Sequence, residues 1–164
     1  MILAFDWGHT LMDERRDRDV PLGERAIHLM PGVREAVAQL SLPLALWANT
    51  RDAGEREVRG WLASAGLDEA FRWVVTSVDA GARKPDPRFF AFALARCGCG
   101  PADVLFVGNQ RNTDVAGGEA AGIRTIWLSG AAFRSDDDRP CAVEPSYTIE
   151  TLTELPALIR RFVA

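Results

Sequence analysis

Cysteine and histidine are scarce in this 164-residue chain, which has three of the first and two of the second. Cys97, Cys99 and Cys141 include no CxxC spacing and make no disulfide framework, and two histidines cannot build a His-rich metal centre. Basic residues are not in excess either, since the formal charge is −4. That balance gives no electrostatic reason to expect nucleic acid or an anionic membrane as a partner. No apolar run approaches the ~18 residues that a bilayer-spanning helix requires. The start lacks a basic leader region, and Asp6 interrupts its apolar run. The expectation is a cytoplasmic protein without a membrane partner. An anionic substrate would need local help from a metal, a lysine or backbone N–H groups.

What is present is ordinary for a globular protein, with 48% hydrophobic and 26% charged residues. The length suits a single domain over residues 1–164 with a proper core. Apolar runs of strand length occur at 2–5, 44–48, 71–76, 104–108 and 124–129, and a short edge strand is expected at 147–149. Between them lie helical patterns. Val33, Val37 and Leu40 share a face after Pro31-Gly32, and a helix over about 53–65 has Val58, Trp61, Leu62 and Ala65 inward. Asp86-Pro87 opens a helix with Phe89, Phe90, Ala93, Leu94 and Cys97 inward; further helices are expected around 113–121 and at the closing TELPALIRRF. Strands without strict alternation, separated by amphipathic helices, predict an α/β protein: a three-layer α/β/α sandwich on a mostly parallel sheet. Trp47 and Trp73 fall in strands and read as core.

Segment 12–30 fits neither pattern. Residues 13–19, DERRDRD, are all charged, and VPLGERAIH follows without an apolar face, so the stretch reads as a solvated loop or flap. Parallel sheets bind ligands beyond their strand carboxyl ends, where the strand order reverses. Asp6, Asn49-Thr50 and Asn109 each follow a predicted strand directly, and the loop carrying Lys84 can reach the same edge.

Those positions carry a family likeness. Phe5-Asp6-Trp7-Gly8-His9-Thr10-Leu11 resembles the first motif of the haloacid dehalogenase-like (HAD) hydrolases. Gly81-Ala82-Arg83-Lys84-Pro85-Asp86-Pro87 resembles the motif that carries their lysine, and PADVLFVGNQRNTDVAGGEAAG, 101–122, resembles their final acidic motif. The resemblance covers nearly the whole chain in the right order. It implies a Rossmann-like fold and a magnesium-dependent phosphomonoester phosphatase in which Asp6 attacks phosphorus to form an aspartyl-phosphate. It also implies that Mg²⁺ is held by Asp6, the Gly8 carbonyl, Asn109 and Asp114, that Lys84 neutralises phosphate and orients Asp6, and that Asn49, Thr50 and Lys84 bind substrate.

Three positions depart from the family pattern. Gly8 stands where most family phosphatases carry a second aspartate as general acid and base, a group whose loss costs on the order of 10²–10⁴-fold. Ala48 lacks the hydroxyl usual before the asparagine, and Asn109 replaces a metal-binding aspartate. His9 and Thr50 are candidates to compensate. The family's helical cap is missing too, with only the charged segment 12–30 in its place. An open site suits a bulky or macromolecular phosphorylated substrate, or a partner chain acting as lid. The competing reading is a catalytically impaired regulatory protein that binds an anion or phosphoprotein at Lys84. Dehalogenase chemistry, which the family performs under a substantial cap, ranks below both.

Overall fold

The first apolar run becomes β1 (Ile2–Phe5), and all four of its residues are buried. A strand buried on both faces must be continuously apolar, and the chain places β1 where that demand arises, in the middle of the sheet. The computed structural model describes residues 1–16, 20 and 26–163. Around β1 it assembles β2 (Leu44–Ala48), β3 (Phe71–Thr76), β4 (Val104–Gly108), β5 (Arg124–Leu128) and β6 (Tyr147–Ile149) in the order β3-β2-β1-β4-β5-β6. Every pairing is parallel. The chain runs outward from β1 to β3 and then returns to β4, so the order reverses between β1 and β4. Their carboxyl ends are in register, with Phe5 opposite both Leu46 and Val107.

Alternate residues of the central strands feed two cores. Leu3, Phe5, Leu46 and Val107 face one side, where they meet Val33 and Ala36 of α1 (Val33–Gln39), Val58 and Leu62 of α2 (Glu55–Ser64), and Leu155 and Ile159 near the chain's end. Ile2, Ala4, Trp47 and Phe106 face the other, against Phe89, Phe90, Ala93 and Cys97. The three layers expected from the sequence are therefore present, and Trp47 is fully buried.

A short helix α3 (Ser77–Ala80) follows β3 and leads to the loop carrying Lys84. Helix α4 (Pro87–Cys97) has the ends its sequence foretells. The Asp86 carboxylate accepts from the N–H of Arg88, Pro87 opens the first turn, and Gly98 closes the helix at φ +66°. The helix expected over 113–121 is instead a π-helical turn at Arg111–Val115 followed by α5 (Ala116–Ala120). Two glycines weaken helical propensity there, but the packing requires at least one of them. A Cβ on Gly117 would lie 2.5 Å from the Phe90 ring. The closing segment forms α6 (Leu155–Val163).

The charged segment is tied at its described ends. Asp13 N–H donates to the His28 carbonyl and Met30 N–H to the Leu11 carbonyl, an antiparallel bridge between residues 11–13 and 28–30. Residues 17–19 and 21–25, with most of the expected flap, lie outside the described residues. No helix among the described residues is long and apolar enough to cross a membrane.

Candidate active site

Asp6 is the first residue past β1, and its N–H still donates to the Val107 carbonyl at 2.8 Å, so its backbone remains fastened to β4. Its carboxylate is held from two directions. Oδ1 accepts from Lys84 Nζ at 2.6 Å, and Oδ2 accepts from Thr10 Oγ1 at 3.1 Å. Thr10 reaches back because residues 7–12 form a tight turn. His9 sits at φ +56° within it, and the N–H groups of Leu11 and Met12 both donate to the Trp7 carbonyl. The Thr10 hydroxyl also lies 3.2 Å from Asn109 Oδ1. Oxygens from the ends of β1 and β4 therefore face one buried point.

Asp114 completes the cluster from the π turn. Its Oδ2 accepts from the Gln110 N–H at 3.0 Å and its Oδ1 from Lys84 Nζ at 2.7 Å. The wider turn, with Val115 N–H reaching the Gln110 carbonyl, points this carboxylate back toward β1. Lys84 is positioned through its backbone. Asn49, just past β2, accepts from the Lys84 N–H at 2.9 Å and donates to the Lys84 carbonyl at 3.0 Å. Both ends of the Asn49 amide thus serve the lysine.

Burial pushes the Asp114 carboxyl up to about 6, and the Asp6 charge adds to that rise against the opposing pull of Lys84. For Lys84 burial acts downward, but the charges of Asp114 and Asp6 outweigh it and raise its pKa, so it stays an ammonium. One cation thus faces two buried carboxyl groups, and with both ionised the trio carries one net negative charge.

The donors suit a hard cation. Asp6, Asn109 and Asp114 offer only oxygen, and Mg²⁺ commonly binds through one or two carboxylates with substrate phosphate and water filling its shell. Among the described residues no group of three or more His, Cys, Asp and Glu side chains gathers into a larger metal cluster. A cleft of about 610 Å³ is lined by Trp7, His9, Glu14, Asn49, Thr50 and Arg83 among others, so that it is walled by the chain neighbours of Asp6 and Lys84 and not by the cluster residues themselves.

The fold thus brings together Asp6, Lys84, Asn109 and Asp114, with Asn49 one contact away. Thr50 lines the cleft, but its hydroxyl donates to the Ala53 carbonyl at 2.6 Å, so it does not stand in for the hydroxyl absent at Ala48. Gly8 lies in the turn, bridged to Met12. Sequence reasoning does not single out Thr10 or Glu14. The first had a signal, its place in the DWGHTL stretch; the second, inside a charge run, had none.

A HAD-hydrolase-like family model matches residues 81–155. A phosphoglycolate phosphatase of Pseudomonas aeruginosa is 33% identical over 126 residues, 76% of this chain and 45% of that protein. This chain belongs to the HAD superfamily. A phosphoserine phosphatase of Thermus thermophilus is 39% identical over 87 residues, 53% of this chain and 34% of that protein. This HAD chain therefore spans less than half the length of either curated relative. An uncharacterized protein from Listeria monocytogenes serotype 4b shares the fold, with a TM-score of 0.82 at 24% identity over 99% of this chain and 98% of its own. At that identity the match speaks for the fold alone.

Proposed function

We propose that this HAD-superfamily chain is a hydrolase, a magnesium-dependent phosphomonoester phosphatase in which Asp6 takes up the phosphoryl group as an aspartyl-phosphate. The observation that carries the reading is the fixed carboxylate at the tip of the central strand. Lys84 at 2.6 Å and Thr10 at 3.1 Å restrain both Asp6 oxygens. A carboxylate is a modest nucleophile, and such restraint removes the orientational cost of attack on phosphorus. The Lys84 ammonium holds positive charge where the phosphoryl oxygens arrive. Asp114 keeps that ammonium in place, and Asn49 fixes the backbone behind it. Bound through Asp6, the Gly8 carbonyl, Asn109 and Asp114, Mg²⁺ would offset the repulsion between a phosphate dianion and the net negative trio. The two curated relatives that are phosphatases support the same chemistry. Segment 12–30 is short for an enclosing domain, and on that ground the proposed substrate is bulky or macromolecular, or a partner chain closes over the site.

The competing reading, an anion-binding regulatory protein, draws on Ala48 and Asn109. Both readings use Lys84, and they part over Mg²⁺, which the first needs to offset the two carboxylates within 2.7 Å of that ammonium. Phosphate release from a panel of phosphomonoesters, with and without Mg²⁺, tests the choice. Turnover that requires Mg²⁺ and disappears in Asp6→Asn is expected. Equal background rates in the two folded proteins would give the site to the competing reading.

A further inference from the structure

Gly8, two residues after Asp6, has no side chain to offer the cleft, yet the space is filled. A Cβ built on Gly8 would lie 2.7 Å from both Cδ and Oε2 of Glu14 and 2.9 Å from its Oε1. The Glu14 carboxylate occupies the volume into which a side chain at residue 8 would project. The turn delivers it there: His9 N–H donates to the Met12 carbonyl at 2.7 Å, folding the chain back over Gly8. Glu14 lines the cleft, its Oε2 is 3.9 Å from His9 Nε2, and its side chain is 47% exposed, so substrate and water can reach it.

Resting on the phosphatase reading, the chemistry needs such a group. An alkoxide leaves poorly unless a proton is supplied as the ester bond breaks. Asp6 is occupied as nucleophile, and Lys84 is held between two carboxylates with a side chain only 1% exposed. We propose that Glu14 is the general acid and base of the reaction, a carboxylate supplied from six residues further along the chain in place of one at residue 8. An Asp6 oxygen bonds to phosphorus as the ester P–O bond breaks, and the Glu14 carboxyl gives its proton to the departing oxygen, releasing the alcohol. The Glu14 carboxylate then takes a proton from water whose oxygen bonds to phosphorus. The Asp6–phosphorus bond breaks, its electron pair returns to Asp6, phosphate leaves, and Glu14 is protonated again.

The test compares alkyl phosphomonoesters with para-nitrophenyl phosphate, whose leaving group needs little protonation. In Glu14→Gln, kcat/KM for alkyl esters falls on the order of 10²–10⁴-fold, and the loss for para-nitrophenyl phosphate is at least about tenfold smaller. Adding Gly8→Asp to Glu14→Ala returns a carboxylate to the vacated space and recovers part of the alkyl-ester activity. Equal losses on both ester classes, or no loss on either, would overturn the role of Glu14 while wild-type turnover keeps the phosphatase reading. A folded wild-type protein that hydrolyses neither class, with Mg²⁺ present, would overturn both.

Discussion

Asn109 shows what a single residue can reveal about the trade between charge and structure. Its Nδ2 donates to the Phe133 carbonyl at 2.7 Å, its Oδ1 faces Thr10, and its own carbonyl accepts from Trp127 Nε1 at 3.0 Å. An aspartate here would bring a third carboxylate to the cluster but lose the donor to Phe133 and leave two acceptors opposed. Asn109→Asp is therefore expected to lower stability by about 1–3 kcal/mol without metal. The gap should narrow when Mg²⁺ is added, because the ion binds the native state only and binds it more tightly where a third carboxylate is present. Thermal midpoints of both proteins with and without MgCl₂ measure this, and an unchanged gap would sink the argument. Sequence alone identifies Asn109 as a lost charge; the structure adds that its amide fastens the 131–133 turn. Asp6, Lys84 and Asp114 are legible beforehand because their motifs surround them. Glu14 is not, because its relevance arises from the space beside Gly8, which its carboxylate fills only once residues 7–14 have folded back.

Among the elements, strands were the most legible, and the reason is burial. Continuous apolar runs at 2–5, 44–48 and 104–108 match β1, β2 and β4 because those strands are covered on both faces. The region after β4 was less legible because two conditions compete there: Asp114 must point back to Lys84, and Gly117 must pack against Phe90. The outcome is a π turn and a short helix. That helix is secured by Glu119, whose Oε1 accepts from the N–H and hydroxyl of Thr125 and from the N–H and hydroxyl of Ser146. Partial burial acts to raise the Glu119 pKa, but these hydrogen bonds outweigh it and hold the carboxyl below its ordinary value. A lowered native pKa contributes stability that is fully present above the unfolded value, near 4.5, and lost as pH falls through the native one. Glu119→Ala should cost about 1–3 kcal/mol at neutral pH. Urea titrations should show that difference shrinking as the pH drops below the ordinary glutamate range. A cost that does not vary with pH would mean the charge is irrelevant to the joint between α5, β5 and β6.

At the scale of the whole molecule, the candidate site is a product of strand order. Asp6 follows β1, Asn49 follows β2, and Asn109 and the Asp114 turn follow β4, so three neighbouring strands converge on Lys84. Such a site is only as rigid as the middle of the sheet. Every residue of β1, β2 and β4 is buried, and each of these strands is paired on both edges. The periphery differs. β6 has three residues, pairs with β5 alone, and leaves Thr148 exposed, and the bridge between residues 11–13 and 28–30 rests on few hydrogen bonds. Free energies of opening range from near zero at such margins to the full unfolding value in the core. Amide hydrogen exchange should therefore be slowest in β1, β2 and β4, at the rate set by global unfolding, and faster by orders of magnitude in β6 and around residues 11–13. If peptides from β1 and β4 exchanged as quickly as those from β6, the carboxylate of Asp6 would not be held still enough for the chemistry proposed here. A core that opens only on global unfolding, beside a cleft rim that opens locally, would let the substrate-facing wall move without disturbing the nucleophile.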